Sequence, residues 1–472
     1  MKRNKKLYWV AFIALVVAVG ALLAFAVIYR MQHGHTIVRS DTMVMLFVLL
    51  LCLPVVLVLV GASMIVSAKV KRKGKSVDAV MQLGEEGGLP VVATTAVSKK
   101  ATAASGDDEE DAVKRRFCML SAIDDDHAEL NKKKYDNKIS LKKFCDAFRN
   151  YAAGELKLYY SPTDIRRFIA GLGVTHITIL QGMSGTGKTS LAYAFGRFVG
   201  NSSTVIPVQP MWKERTDLIG YYNEFTKQFN ETLLLKKMYE ANYGKDIYIT
   251  VLDEMNIARV EYYFAEFLSL LELPNVEERN LDVVSDRWST DPVLLNGGRI
   301  RLPANMWFVG TANNDDSTLA ISDKVYDRAM VMNLDDKSEP FTPRKWGQVF
   351  ITAERFEQLI AEAQKEYELT ERNRARLEEL DKYLIVNFHI TFGNRIMKQI
   401  RQYIPNFVAC GGEELEALDD ILAKKILRKL EMQNPVLVKN AAPGLLAYLD
   451  ELFGTDKMKM CKAFIHRLER NA

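Results

Sequence analysis

The chain has 472 residues, of which 48% are hydrophobic, enough for about two or three domains with sizeable cores. The formal net charge of +4 is uneven, because residues 1–75 hold eleven lysines and arginines against one acid, and the rest of the chain is therefore net acidic. This distribution gives little support to a nucleic-acid surface. The five cysteines form no C-x-x-C pair and no metal-ligand spacing, which argues against a disulfide framework and indicates a reduced compartment.

Two long apolar segments lie near the start of the chain. Residues 7–29 and 42–68 contain no charged side chain, and each exceeds the ~20 residues that a membrane-spanning helix needs. Lysines and arginines cluster before the first segment and after the second, whereas the loop at residues 30–41 holds only two. We therefore predict a two-helix transmembrane hairpin over residues 1–75, with both termini in the cytosol and the chain in the cell (inner) membrane. A cleaved signal peptide fits less well, because a second span follows.

A linker and a helical segment follow the hairpin. Residues 76–112 are rich in Gly, Ala, Thr, Val and Ser and contain an acidic run, which predicts a flexible linker, with a helical anchor as the alternative. Residues 113–160 mix charged and spaced apolar residues, which predicts a helical lead-in. Ser161, Pro162 and Asp164 are typical of a helix start, so we expect a helix from Pro162 to about residue 170.

The segment from Gly182 to Thr189 fits the pattern G-x-x-x-x-G-K-[ST], between a predicted strand at residues 176–180 and a predicted helix at 189–195. Glycines let backbone N–H groups converge on phosphates, and the following helix adds its dipole. Lys188 would reach the β- and γ-phosphates of ATP, and the Thr189 hydroxyl would ligate Mg²⁺. The predicted phosphate-binding residues are Gly182, Ser184, Gly185, Thr186, Gly187, Lys188 and Thr189.

Two further apolar segments end in polar residues. Residues 247–254 predict a strand that ends in Asp253, which would bind Mg²⁺, and Glu254, which would polarise the attacking water. Residues 306–313 predict another strand, and the Asn313 amide at its end would hold that water near the γ-phosphate. A turn-forming asparagine is the alternative for Asn313.

Strand and helix patterns alternate up to about residue 334 and become helical beyond residue 342. We therefore predict an α/β fold: a doubly wound parallel sheet over residues 161–340, and a helical lid with C-terminal helices over residues 341–472.

Together, the phosphate loop, the Asp-Glu strand, the Gly-Thr-x-Asn strand and a following Asp-Arg resemble the AAA+ ATPases over residues 155–440. Residues 252–272 are similar to the McrB-type branch, near the MoxR and dynein-type ATPases. The resemblance implies a β-hairpin within residues 274–303. It also implies that Asn313 is the sensor-1 residue, with Asn314 as the alternative, and that Arg328 is an arginine finger donated to a neighbouring subunit. Arg395 would be the sensor-2 residue; for both arginines an ordinary helix-surface role stays open.

The resemblance also implies a homo-oligomer, a hexameric ring. Residues 312–317 depart from the McrB-type sensor sequence, so we expect ATP and Mg²⁺ rather than GTP. The favoured function is a membrane-anchored ATPase that remodels an unknown protein substrate. The alternatives are a nucleic-acid-directed motor that works with a nuclease, as in restriction or antiphage defence, and a nucleotide-controlled assembly switch. Aromatic residues at 208–222 would face a pore, although ordinary packing is the favoured interpretation for them.

Overall fold

The computed structural model describes residues 115–128, 133–135, 138–313, 318–335 and 338–471. The predicted transmembrane hairpin and linker at residues 1–112 lie outside these ranges, as does Asn314. Across the described ranges, no helix combines the length and hydropathy that crossing a membrane requires. The two membrane spans therefore stay predictions from the sequence.

The described residues form nine strands, of which five make one parallel sheet. The sheet order is β2-β5-β8-β1-β9, and all four neighbouring pairs run parallel. The other four strands form two short antiparallel pairs, β3 with β4 and β6 with β7. The strands are β1 (Ile177–Gly182), β2 (Thr204–Pro207), β3 (Gly220–Asn223), β4 (Gln228–Glu231), β5 (Tyr248–Asp253), β6 (Asn280–Asp282), β7 (Arg299–Arg301), β8 (Met306–Asn313) and β9 (Met330–Asn333).

Helices surround the sheet and then continue alone to the end of the chain. They are α1 (Met119–Asp126), α2 (Leu141–Leu156), α3 (Pro162–Leu172), α4 (Lys188–Phe198), α5 (Thr216–Ile219), α6 (Leu233–Tyr243), α7 (Val260–Tyr263), α8 (Ala265–Leu270), α9 (Asp323–Tyr326), α10 (Ala353–Glu366), α11 (Glu371–Phe388), α12 (Gly393–Ala409), α13 (Glu414–Ile421), α14 (Pro435–Phe453) and α15 (Lys459–Asn471). The predicted α/β fold with a parallel sheet and C-terminal helices is confirmed.

Apolar cores cover both faces of the sheet. Along β8, Phe308 joins one core with α6 and α7, whereas Trp307 joins the other with α2, α3 and α4. In β1 the same alternation separates Ile179 from Leu180. This two-sided burial explains the nearly continuous apolar character of β1, β5 and β8, as expected of a doubly wound sheet.

Helix α3 begins as its sequence predicts. The Ser161 hydroxyl accepts a hydrogen bond of 3.0 Å from the backbone N–H of Asp164, and Pro162 occupies the first helical position. The helix ends at Leu172, two residues later than predicted, because Leu172 is buried in the core beneath the sheet.

A third core lies among α11 to α15. Between α13 and α14 the chain forms a π-helical turn (Leu422–Ile426) and then a 3₁₀ segment (Leu427–Met432). The apolar spacing of the sequence indicated an ordinary α-helix here. Such spacing does not reveal a single π-helical turn.

Both antiparallel pairs lie outside the five-stranded sheet and pack buried side chains against its core. Pairing of β6 with β7 confirms the β-hairpin predicted within residues 274–303. The β3–β4 hairpin interrupts the helical layer between α5 and α6, and Phe225 at its turn is 99% exposed.

The segment at residues 115–128 contacts both hairpin regions. The Arg116 guanidinium, 1% exposed, donates at 2.7 Å to both carboxylate oxygens of Asp291 and at 2.8 Å to Asp286. Its carbonyl accepts from Phe229 N in β4 at 2.8 Å. The Glu231 carboxylate accepts three backbone N–H bonds at 2.7–2.8 Å at the start of α1. The segment thus fastens the β3–β4 hairpin to the loop between β6 and β7.

Candidate nucleotide-binding site

The loop from Gly182 to Gly187 joins β1 to α4 through backbone conformations that favour glycine. Gly182, Gly185 and Gly187 have φ values of +144°, +79° and +90°. A Cβ at Gly185 would meet nothing within 4 Å, so the loop is open on that side. Ser184 and Gly185 are exposed, whereas Thr186 is half-buried and its hydroxyl donates to Met183 O at 3.0 Å. The result is a concave backbone surface at the N-terminus of an 11-residue helix.

The Lys188 ammonium group lies inside this loop. Its Nζ donates to the carbonyl oxygens of Gly182 at 2.9 Å and Met183 at 2.7 Å. The side chain is buried, which is rare for lysine. The loop therefore holds a positive charge at the position where the sequence pattern predicts phosphate.

The polar residues at the ends of β5 and β8 meet the phosphate loop. The Thr189 hydroxyl, in the first turn of α4, donates to Asp253 Oδ1 at 2.6 Å. The Thr311 hydroxyl in β8 donates to the same oxygen at 2.9 Å. Since β1, β5 and β8 are parallel neighbours, their carboxyl ends share one edge of the sheet, and Gly182 pairs in register with Asn313.

Glu254 directly follows β5 in a strained conformation. Its φ of +53° lies in the left-handed region, which usually costs a non-glycine residue about 1–3 kcal/mol. Its backbone N–H donates to the Thr311 hydroxyl at 2.9 Å. Thr311 therefore fixes both acids, because it binds the Asp253 carboxylate and the Glu254 backbone.

Asn256 holds the backbone of Asn313. Its Nδ2 donates to Asn313 O at 2.9 Å, and its Oδ1 accepts from Asn313 N at 3.3 Å. The end of β8 is thereby tied to the 3₁₀ turn (Met255–Ile257) that follows Glu254.

Arg328 and Arg395 share one carboxylate. Arg328 Nε lies 3.0 Å from Glu272 Oε2, and Arg395 NH2 lies 2.6 Å from Glu272 Oε1. Arg328 also donates to Lys324 O at 2.9 Å, as a helix-capping arginine would. Within the described part of the chain, neither guanidinium has a hydrogen bond or ion pair to the loop from Gly182 to Gly187.

Tyr160 contacts the last residue of the phosphate loop. Its hydroxyl donates to Gly187 O at 3.1 Å, and a Cβ at Gly187 would lie 3.4 Å from that hydroxyl. Burial raises the pKa of Tyr160, so the phenol stays protonated as a donor.

These residues fit a nucleotide with Mg²⁺. The loop offers backbone donors and the Lys188 ammonium to phosphate, and Thr189 and Asp253 offer the oxygen ligands that Mg²⁺ prefers. The residues 182–189, Asp253 and Asn313 lie at one edge of the sheet, whereas Arg328 and Arg395 cluster on Glu272.

Sequence reasoning missed three residues of this region. Thr311 is the threonine of the Gly-Thr-x-Asn strand, but threonine is common in strands and its presence alone does not indicate a role in the site. Asn256 lies just after the Asp-Glu pair, where its proximity to Asn313 depends on strand order. Glu272 lies two residues after the end of α8, and only the tertiary fold brings its two arginine partners together.

One family model matches the region that contains this site. Residues 177–329 match the family model of the AAA domain (dynein-related subfamily), and residues 348–472 match that of a domain of unknown function, DUF8727. A search of curated proteins gave no match. Among solved structures, a "putative ATPase" from Cytophaga hutchinsonii is 13% identical with a TM-score of 0.40, covering 66% of this chain and 89% of that one. A full-length MCM homolog from Methanopyrus kandleri is 12% identical with a TM-score of 0.33, covering 60% of this chain and 58% of that one. Residues 177–329 are therefore similar to the AAA domain (dynein-related subfamily), and their parallel sheet with flanking helices agrees with that match.

Proposed function

We propose that this protein is a membrane-anchored AAA+ ATPase of the McrB-type branch, which hydrolyses ATP in a ring-shaped, hexameric oligomer to remodel a protein substrate. The observation that carries the hydrolytic part is the 2.6 Å hydrogen bond from Thr189 to Asp253 beside the phosphate loop. This contact supports the proposal because it joins a hydroxyl and a carboxylate, groups that suit Mg²⁺, at the residue that directly follows Lys188 in the chain.

ATP would supply the phosphoanhydride bond that is hydrolysed, and Mg²⁺ would offset the negative charge of the phosphates. The loop N–H groups and Lys188 would bind the phosphate oxygens, and Thr189 and Asp253 would hold Mg²⁺. The Glu254 carboxylate accepts the proton of the attacking water, and the Asn313 amide orients that water. Thr311 keeps the two acids in register with each other.

The two arginines complete the site of a neighbouring subunit. Arg328 and Arg395 are held together by Glu272 and have no bond to their own phosphate loop within the described residues. Guanidinium groups stabilise charge that spreads over transferred phosphoryl oxygens, so these two suit the γ-phosphate bound by an adjacent subunit. A ring is the arrangement in which every site then receives its arginines.

The β3–β4 hairpin supports a polypeptide as substrate. Phe225 at its turn is 99% exposed, and Tyr221 on β3 is also exposed. Trp212, by contrast, packs against the buried Tyr263 at 5.6 Å, as the packing interpretation of residues 208–222 expects. A projecting aromatic tip suits apolar contact with an extended chain. The membrane anchor, the cytosolic site and the domain boundaries at residues 75, 112, 160 and 340 rest on the sequence.

The proposal is tested with the full-length protein extracted from membranes in detergent. We expect Mg²⁺-dependent ATP hydrolysis by the wild type and loss of turnover, with ATP binding retained, in Glu254→Gln. Glu378→Gln on the exposed face of α11 is the matched control and should hydrolyse at the wild-type rate. Unchanged turnover in Glu254→Gln, or an inactive wild type, would refute the proposal.

The Glu254→Gln variant also tests the substrate class, because ATP-trapped rings hold their substrates. We expect its capture from native membranes to enrich a polypeptide substrate relative to the wild type. Enrichment of a nuclease, together with salt-sensitive DNA binding, would instead select the restriction-type motor. Slow hydrolysis with nucleotide-dependent oligomerisation would select the assembly switch.

A further inference from the structure

The loop that carries Arg328 is held by side chains of the C-terminal helices. Lys425, 3% exposed, directs its Nζ to the carbonyl oxygens of Tyr326, at 2.6 Å, and Ala329. These two carbonyls flank Arg328 in the chain. The buried Lys425 ammonium group therefore fixes the backbone on both sides of Arg328, the residue proposed to act on a neighbouring subunit.

The buried side chain of Gln399 binds the backbone of Asp327, which lies between Tyr326 and Ala329 in the chain. Gln399, in α12, donates from Nε2 to Asp327 O at 2.9 Å. Arg428 adds a third contact, because its guanidinium lies 3.8 Å above the ring of Tyr326 and is paired with Asp323. Three side chains from residues 399–428 thus hold one short loop of the α/β core.

The π-helical turn accounts for the placement of Lys425. Lys424 and Lys425 are adjacent and both buried within Leu422–Ile426. Lys424 Nζ binds Asp420 at 2.5 Å on its own helix, whereas Lys425 reaches the Arg328 loop. Wide turns of this kind occur frequently at functional sites. Consecutive buried lysines are otherwise rare, since each ammonium loses its hydration.

A purely structural role explains Lys425 less well. Replacing a buried charge with an apolar side chain of similar size is often neutral or stabilising, so packing alone does not require lysine here. What an apolar side chain does not supply is a donor to the carbonyls of Tyr326 and Ala329. Those bonds define the backbone geometry from which Arg328 projects.

We infer that Lys425 and Gln399 are positioning residues that set the Arg328 loop, so the C-terminal helices control the arginine that one subunit offers to the next. This inference rests on the proposed function. It gives residues 348–472, which match a domain of unknown function, a role in coupling neighbouring sites.

Turnover by full-length single variants is the first test. A misplacement of about 1 Å can lower a rate about 100-fold, so Lys425→Met should lower kcat by that order while KM and the Kd of a non-hydrolysable ATP analogue stay within about twofold. Gln399→Leu should act in the same direction, by about tenfold. Lys429→Met, a neighbouring lysine on the same segment, is the matched control and should retain the wild-type kcat.

Mixed assemblies separate positioning from loss of structure. Lys425→Met subunits keep their own Glu254, and Glu254→Gln subunits keep an intact Arg328 loop. Co-expressed and purified by two tags, the pair should recover turnover that neither variant shows alone. Arg328→Ala mixed with Glu254→Gln should recover in the same way.

The outcomes also distinguish this inference from the proposed function. If Lys425→Met retains the wild-type kcat, or fails to recover in mixtures where Arg328→Ala does, the positioning role is wrong while the arginine finger stands. If Arg328→Ala itself retains full turnover, the proposed shared site is wrong, and the inference falls with it.

Discussion

Gly182 and Gly185 lie in one loop, yet substitution by alanine should affect them differently. An alanine Cβ at position 182 would lie 2.4 Å from the carbonyl oxygen of Leu334, well inside ordinary contact, whereas at position 185 it meets nothing within 4 Å. The backbone near Leu334 has little freedom to move, because its N–H donates to Gln181 O at 2.8 Å. Gly182→Ala therefore combines backbone strain with a clash, and Gly185→Ala involves strain alone.

The magnitudes follow from these two terms. A non-glycine residue in the left-handed region costs about 1–2 kcal/mol, which applies to Gly185→Ala. At Gly182 a strain of about 1–3 kcal/mol is joined by displacement of the Leu334 backbone, which would disturb the hydrogen bond from its N–H to Gln181 O at a cost of about 1–3 kcal/mol. With roughly 2–4 °C of Tm per kcal/mol, we expect a Tm loss of about 10 °C for Gly182→Ala and about 4 °C for Gly185→Ala.

The assay is thermal unfolding of the full-length protein with and without a non-hydrolysable ATP analogue and Mg²⁺. Ligand should raise the Tm of the wild type, and both variants should lose most of that increase because the loop backbone is misaligned. Equal Tm values for Gly182→Ala and Gly185→Ala without ligand would refute the steric reasoning. Retention of the full ligand effect in Gly185→Ala would contradict the assignment of the loop to phosphate.

Three further predictions follow from single contacts. Thr311→Val removes a hydrogen bond to the Asp253 carboxylate that is worth about 1.5–3 kcal/mol. The kcat should therefore fall about tenfold or more, while binding of the ATP analogue is retained. An unchanged kcat would exclude a role of Thr311 in orienting Asp253. Burial lowers the pKa of Lys425 to about 7, so between pH 7 and its unfolded value of 10.5 the unfolded chain binds the extra proton. The stability of the wild type should therefore rise with pH relative to Lys425→Met, and a Tm difference that is constant from pH 6.5 to 9 would contradict this. Arg116→Ala leaves the buried Asp291 unpaired and should destabilise by about 3–5 kcal/mol; a Tm loss under about 2 °C would show that the ion pair is dispensable.

The local parts of the site were predictable because their signals are short. The phosphate loop and the acids that end β5 depend on adjacent residues and on the rule that parallel strands share a carboxyl edge. The hairpin between β6 and β7 was expected from the resemblance to the AAA+ ATPases. The meeting of Arg328 and Arg395 on Glu272 was not predictable, because it joins segments that only the tertiary fold brings together.

Lys425 shows a different limit. Its segment has the apolar spacing of an ordinary helix, and two adjacent lysines there indicate a solvated face. The π-helical turn contradicts the interpretation of a solvated face, because it buries both lysine side chains. The apolar spacing of the segment stays that of a helix. Helical periodicity averages over several turns and is insensitive to a single irregular one.

The contacts of residues 115–128 have a mechanical consequence. Tension applied to the chain ahead of residue 115 passes first through the Arg116 ion pairs and the backbone bond to Phe229, before it reaches the central sheet. Because these bonds end on the β3–β4 hairpin and on the loop between β6 and β7, one load displaces both. The exposed ring of Phe225 lies at the turn of this same hairpin, so a load at the start of the domain would reach it through β4.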